Sequence, residues 1–375
     1  MHVLHVFDGD ADWEQRVAAE QLLARLDATR FQQSLASVDS RVPASAWFPD
    51  WAVARYPIRF GLALTAAPAL RKLVENRGVR IVHAWGTQAA VASAAALPDG
   101  CALVIERFDP FLTPTEAKTL RAIASHRNTA VACSTGTVSR RLIERGVPES
   151  VCVVIRPGVD FKRINAVKRS GAIRRNLGIA PDDHLTVTSH PVNGRSGHQY
   201  AMCGGYIQGY MDRKRLMALY GDGPECRRLY RLARMLPSRD SLRWVGSDVR
   251  YEELVAAADA LVITPLDDAS TTPISWAMAA SVPVIGTAVY AVAELIGHQH
   301  NGYLVLPKRA QVMSTRIAAA LSHAGEMTKE REVARGQAFE VFSVRRFADQ
   351  HTQLYENLAA GRAPGHGIAD TAVES

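Results

Sequence analysis

Two doubly wound parallel α/β domains are what this 375-residue sequence predicts, and three observations carry the prediction. Short apolar strand-like runs alternate with helical patterns through both halves, which implies parallel pairing through right-handed crossovers. The alternation breaks once, after Arg156-Pro-Gly-Val-Asp160, and restarts near Leu185. At about 100 to 200 residues per domain, the length suits two domains that each bury a core.

In the first half, a buried strand over 2–7 leads into a helix over 13–26, with Val17, Ala18, Leu22, Leu23 and Leu26 at helical spacing. Residues 31–38 restart the pattern. Helices follow at 69–75, 89–97, 115–125 and 138–144, separated by strands at 80–83, 102–105, 130–133 and 151–155. Each strand is short and continuously apolar, as a sheet covered on both faces requires.

The basic segment holding Lys162, Arg163, Lys168, Arg169, Arg174 and Arg175 reads as the interdomain linker. Strands then fall at 185–189, 216–220, 242–245, 260–264, 283–286 and 303–305. Helices fall between them at 199–211, 225–235, 252–257, 273–280 and 292–295. A last helix over 345–358 carries Phe347, Leu354, Tyr355 and Leu358. From Ala360 onward the chain turns Gly-, Ala- and acid-rich without periodicity, which predicts a disordered tail over 360–375.

Composition excludes several classes. No apolar run approaches a membrane span; the most apolar region, 81–98, is interrupted by His83, Gly86, Thr87, Gln88 and Ser93. The N-terminus lacks a basic start and a long apolar centre, so a cytoplasmic protein is expected. The five cysteines form no CxxC pair, which argues against a disulfide framework or a zinc site, and no metal is expected. The net charge of +7 is concentrated late: residues 161–375 hold 26 Lys and Arg against 21 Asp and Glu. The linker patch would favour a phosphate-bearing ligand or an anionic membrane surface. Interleaved aromatics and helix-turn-helix patterns are missing, so no nucleic-acid partner is expected.

In open parallel sheets, ligands sit beyond the carboxyl ends of strands, where helix N-termini offer amides to anions. The richest such loop is Thr264-Pro-Leu-Asp-Asp-Ala-Ser-Thr-Thr-Pro273, with two carboxylates, three hydroxyl residues after them, and a proline where a helix start tolerates it. Thr272 is the natural N-cap there. The loop Pro191-Val-Asn-Gly-Arg-Ser-Gly-His198 supplies a guanidinium between two glycines. Gly221-Asp-Gly-Pro224 is a poor dinucleotide fingerprint because Cys226 occupies the third glycine position. HExxH, GxSxG and P-loop patterns are missing as well.

Several stretches fall in a familiar order: Ile81-Val-His-Ala-Trp-Gly86, Val131-Ala-Cys-Ser134, Leu142-Ile-Glu-Arg-Gly146 and Val154-Ile-Arg-Pro-Gly-Val-Asp160. The second half adds Tyr220-Gly-Asp-Gly-Pro224, Val245-Gly246, Ala257-Ala-Asp-Ala260, Ala277-Met-Ala-Ala-Ser-Val-Pro-Val284, Ala293-Glu-Leu295 and Asn301-Gly-Tyr-Leu-Val305. On these the chain resembles glycosyltransferase family 4, the group 1 glycosyltransferases of GT-B fold, over nearly its whole length. The resemblance implies two Rossmann-like domains facing a cleft: an acceptor domain over 1–163, rejoined by a helix over 343–359, and a donor domain over 164–342. It also implies metal-independent, retaining transfer of a sugar, of hexosyl type, from a nucleotide-sugar donor, with no cofactor.

Carried over by position, the family's phosphate-binding pair falls on His190 and Arg195, and its two glutamates fall on Asp268 and Trp276. Asp268 keeps a carboxylate for donor-sugar hydroxyls; at Trp276, which cannot accept from ribose hydroxyls, the contact is lost or replaced by ring stacking. Gly221, Gly246, Ser270, Thr271 and Thr272 complete the implied donor site. Gly9-Asp-Ala-Asp12 replaces a Gly-Gly pair, and Glu106-Arg107 stand where a histidine is frequent, so Arg107 or Glu106, with Asp268, is the candidate for assisting catalysis. The acceptor is a hydroxyl of unknown identity, its specificity placed in the 40–55 loop. The alternative is a relative that has lost turnover and acts as a binding or scaffold protein; an epimerase or phosphorylase on the same architecture is a third reading.

Overall fold

The computed structural model describes residues 1–9, 12–38, 48, 51, 53–56, 62–125, 128–188, 191–237, 239–246, 249–322 and 328–370. They form two compact units, Met1–Gly158 with Val344–Thr371, and Val159–Ser343.

The first unit holds strands β1 (His2–Asp8), β2 (Gln32–Val38), β3 (Val53–Tyr56), β4 (Ile81–Trp85), β5 (Ala102–Arg107), β6 (Thr129–Cys133) and β7 (Cys152–Val154). They make one sheet in the order β3-β2-β1-β4-β5-β6-β7, with every pair parallel. Between them run α1 (Trp13–Leu23), α2 (Ala67–Asn76), α3 (Thr87–Ala96), α4 (Pro114–Ala124) and α5 (Gly136–Glu144). Helix starts follow local chemistry: Asp12 and Gln15 form a reciprocal capping box on α1, and Thr113 and Glu116 form another on α4. The sequence pattern did not resolve β3, a four-residue edge strand with little apolar signal of its own.

The second unit begins with α6 (Phe161–Ser170) and α7 (Ala172–Asn176), where the sequence predicted a linker. Asp160 starts α6 by accepting from the amides of Lys162 and Arg163, and Gly171, at φ 58°, separates the two helices. A sheet follows, built from β8 (His184–Thr188), β9 (Arg215–Tyr220), β10 (Leu242–Val245), β11 (Ala260–Ile263), β12 (Val284–Thr287) and β13 (Tyr303–Val305). Its order is β10-β9-β8-β11-β12-β13, again all parallel. The helices are α8 (His198–Met211), α9 (Cys226–Arg234), α10 (Tyr251–Ala256), α11 (Thr272–Ala279), α12 (Tyr290–Ala293), α13 (Ala310–Ser322) and α14 (Thr328–Val341). In each sheet the strand order reverses beside the first strand, at β1/β4 and at β8/β11, which is where such folds bind ligands.

The last helix, α15 (Val344–Ala359), belongs to the first unit. Its buried residues Phe347, His351, Leu354, Tyr355 and Leu358 recur at helical spacing and join the core under β1 and β4. Residues 360–370 differ from the predicted disorder. Asn357 Nδ2 donates to the carbonyls of Pro364 and His366 at 3.0 and 2.7 Å, and Arg156 pairs with Asp370 at 3.3 Å, so local polar contacts hold what composition could not reveal. Residues 371–375 lie outside the described residues. Among the described residues, no helix is long and apolar enough to cross a membrane.

Candidate functional site

At the carboxyl edge of the second sheet, three loops are laced together by their backbones. Thr264 Oγ1 donates to the carbonyl of Ser196 at 3.1 Å, and the amide of Leu266 donates to the carbonyl of Arg195 at 2.8 Å. The amide of Gly221 donates to Val245, at the start of the Gly246 loop. Two glycines permit the approach: a Cβ on Gly197 would lie 1.9 Å from the Thr264 carbonyl oxygen, and one on Gly223 would lie 2.0 Å from that of Val192. Gly197 also sits at φ 64°. Gly197→Ala therefore meets both a left-handed backbone and a backbone clash, and should lower stability by about 2 to 4 kcal/mol in thermal or urea unfolding.

The Arg195 loop is pre-formed by Asn193, which the sequence reading passed over. Its Oδ1 accepts from the amides of Arg195 and Ser196 at 2.9 and 3.0 Å, an Asx turn for which an Asn two residues before the arginine is the signal. A Cβ on the neighbouring Gly194 would meet nothing within 4 Å, so this tip faces open space. His190 lies outside the described residues.

The 264–273 loop departs from expectation in two places. Thr271, not Thr272, is the N-cap of α11, and it makes no side-chain cap bond; Thr272 is the first helical residue, its amide 3.4 Å from Ser270 Oγ. The reason lies in Pro273, which sits at the second helical position and fixes where the turn begins. Asp268 is only 5% exposed, and its Oδ1 accepts from the amide of Ala291 at 3.0 Å, so this carboxylate caps the otherwise uncapped α12.

Trp276 requires a correction. All eight residues of α11 are buried, and Trp276 is 1% exposed, so its ring has no face to stack on a ribose. TPISWAMA is apolar around most of its circumference, and such a helix is enclosed on every side.

In the first unit a cavity of about 250 Å³ opens at the carboxyl ends of β1, β4 and β5, lined by Asp8, Asp12, Thr87, Arg107, Asp109 and Glu116 among others. Asp8, another residue missed, accepts from the amides of Gln88 and Ala89 and so starts α3. Gly86, at φ 117°, leaves room for it: a Cβ there would sit 2.2 Å from Asp8 Oδ2. Burial pushes the Asp12 carboxyl up, against the lowering bond from Gln15. Arg107 points its guanidinium at the carbonyls of Asp109 and Phe111 and lies 3.8 Å from Glu116, so it braces the loop after β5. Asp10 and Ala11, and residues 40–47, 49, 50 and 52 of the 40–55 loop, lie outside the described residues.

Glu106, the alternative to Arg107 as an assisting residue, requires a correction: its side chain is fully buried and turned into the core, where two histidines hold it. Its Oε2 stands 3.1 Å from Nε2 of both His83 and His351, and all three side chains are fully buried. His83 Nδ1 is 2.6 Å from the Tyr355 hydroxyl, and His351 Nδ1 is 2.9 Å from the Phe347 carbonyl. A carbonyl only accepts, so His351 Nδ1 carries a proton, and a second proton or a metal ion must lie between Nε2 and the carboxylate. Burial lowers His83 to about 4, outweighing the raising effect of Glu106, so it stands neutral and donates Nε2–H to Glu106. Burial alone would raise the Glu106 carboxyl; the charge and hydrogen bonds of His351 and His83 hold it below its ordinary value.

Among the described residues these three are the group whose ligand atoms lie close enough to hold a metal ion, within 4.8 Å of one another. A divalent ion with two neutral imidazoles and one carboxylate would leave a net positive charge in the core. A proton on His351 leaves the cluster neutral, so charge balance in a desolvated site favours the proton.

The family described as Glycosyltransferase Family 4 matches residues 19–163, and that described as Glycosyl transferases group 1 matches residues 207–338. A curated relative, N-acetyl-alpha-D-glucosaminyl L-malate synthase of Bacillus anthracis, is 28% identical over 149 residues, which span 38% of this chain and 37% of that protein. HepE of Anabaena, solved with UDP and glucose, superposes with a TM-score of 0.79 at 17% identity, covering 95% of this chain and all of HepE. Sucrose-phosphate synthase of Thermosynechococcus elongatus superposes at 0.75 and 16% identity, covering 96% of this chain and all of that one.

Proposed function

The chain belongs to the group 1 and family 4 glycosyltransferases, and from that premise we propose that it is a retaining hexosyltransferase, moving a sugar from a nucleotide-sugar donor to a hydroxyl acceptor on a glycan, glycolipid or small molecule. The donor binds the second unit. The carrying observation is the laced loop set at the β8/β11 reversal, where an Asx turn presents Arg195 beside the start of the 264–273 loop. With its backbone fixed by the Asx turn, Arg195 supplies positive charge to the diphosphate as it leaves. HepE was solved with UDP and glucose at the same fold, which supports a nucleotide-sugar here. The acceptor hydroxyl enters through the first-unit cavity, with Arg107 on its wall.

Calorimetric titration across a nucleotide-sugar panel, followed by product analysis with candidate acceptors, tests this reading. Arg195→Ala should weaken donor binding by about 1.5 to 3 kcal/mol, roughly a tenfold to 150-fold rise in Kd. An unchanged Kd removes Arg195 from the site.

One observation favours a second reading, a binding protein without turnover: a buried tryptophan stands where the resemblance places the second donor-site glutamate. Donor binding with no product across all acceptors would select it.

A further inference from the structure

Two arginines of the basic segment that the sequence marked for anionic partners are engaged within the fold. Arg163 pairs with Glu252 and Glu253 at 3.1 and 2.9 Å, and Arg174 pairs with Asp259 at 3.0 Å while bonding the carbonyl of Ala257. Uncompensated charge lies elsewhere. Helix α9, Cys-Arg-Arg-Leu-Tyr-Arg-Leu-Ala-Arg, holds four arginines and no acid, and buries only Leu229 and Ala233. Arg228 pairs with Glu225, but among the described residues no carboxylate pairs with Arg227, Arg231 or Arg234, and all three are exposed. Arg231 Nε donates to the backbone carbonyl of Arg227, one turn earlier on the same helix.

Apolar side chains stand out of the same surface. Tyr230, packed on Trp244 with ring centroids 3.9 Å apart and planes tilted by 32°, is 45% exposed, and Met235, just past the helix end, is 80% exposed. The neighbouring helix α8 ends at the same edge of the sheet, because β8, β9 and β10 are consecutive parallel strands joined by crossovers of one hand. Its last residues, Tyr210 and Met211, are 69% and 73% exposed, followed by exposed Arg213 and by Lys214, which pairs with Asp182 at 3.6 Å. Water favours the arginines but not the methionine and tyrosine side chains beside them. Long unbranched and aromatic side chains beside unpaired arginines suit a surface that is negatively charged outside and hydrocarbon beneath.

We infer that α9 and the end of α8 dock the protein on an anionic lipid surface, with Arg227, Arg231 and Arg234 on the headgroups and Met211 and Met235 entering the acyl boundary. A nucleic acid would match the charge but would leave the methionines in water, so lipid is the occupant the exposed side chains favour.

Sedimentation of the full chain with phosphatidylcholine vesicles, with and without phosphatidylglycerol, tests the assignment. The chain should pellet with the anionic vesicles, lose binding as salt rises, and stay free with neutral ones. Arg227→Gln, Arg231→Gln and Arg234→Gln together should weaken binding about 100-fold, at roughly fivefold per arginine. Met211→Ser with Met235→Ser should weaken it severalfold, and both variants should keep the wild-type melting curve. The inference fails if the wild type ignores anionic vesicles, if the triple variant binds them as the wild type does, or if duplex DNA binds this face more tightly than vesicles at equal salt.

Discussion

Trp276→Glu is expected to abolish folding of the second unit rather than to rebuild a donor contact. The indole is 1% exposed within a helix whose every residue is buried, and α11 lies against α10 and α14. Removing a buried tryptophan costs about 3 to 5 kcal/mol. Placing an unpaired carboxylate there adds several more, or forces the carboxyl to stay protonated. The sum approaches the whole stability of a domain, about 5 to 15 kcal/mol. Far-UV circular dichroism and limited proteolysis read the loss directly.

Trp276→Phe separates packing from ligand contact. The indole Nε1 has no acceptor among the described residues, so its removal forfeits no hydrogen bond. This variant should lose about 1 to 2 kcal/mol for volume alone and bind nucleotide sugars as the wild type does. A Trp276→Glu chain that melts normally and binds donor more tightly would instead place this position at the ligand and overturn the packing account.

Position 276 marks where reading from sequence reached its limit. The sheet strands were legible because they are continuously apolar and bounded by turns, and the loops after them were legible because Gly, Asn, Asp and Pro cluster there. Side-chain direction was not. Whether a residue near a helix start faces the ligand or the core depends on helix phase, and Pro273 moved that start by one residue from the Thr272 cap the spacing predicted. Asp268 likewise gave its carboxylate to α12, a four-residue helix too short to announce its need for a cap. The linker hid two helices because its charges pair with Glu252, Glu253 and Asp259, some 80 to 90 positions away in sequence. Similarly, His83, Glu106 and His351 share no local motif; α15 brings the third to the first two across 245 positions.

That buried cluster sets the second large effect. Glu106→Ala should destabilise the first unit by about 3 to 5 kcal/mol, because it removes the one acceptor shared by two buried imidazoles and leaves the His351 proton uncompensated. Glu106→Gln should cost less, since its amide oxygen still accepts from His83. The same cluster fixes how stability responds to acid. His83 titrates at about 4 in the folded chain against 6.5 when unfolded, so below pH 6.5 the unfolded chain binds a proton the folded one refuses. Stability therefore falls as pH drops from 6.5 to 4, by about 3 kcal/mol from this residue alone. His5, also lowered by burial and by its histidine neighbours, acts in the same direction. Glu106, held below its ordinary value, adds its own loss once pH passes through the carboxylate range. Urea midpoints measured from pH 7.5 to 4 should trace this decline in the wild type. His83→Phe fills the site without a titrating ring; it pays for the lost bonds to Tyr355 and Glu106 at neutral pH and should flatten the slope between pH 6.5 and 4. A His83→Phe slope equal to that of the wild type would assign the acid sensitivity to other groups, and a fully stable Glu106→Ala would show that this cluster does not fasten α15 to the sheet.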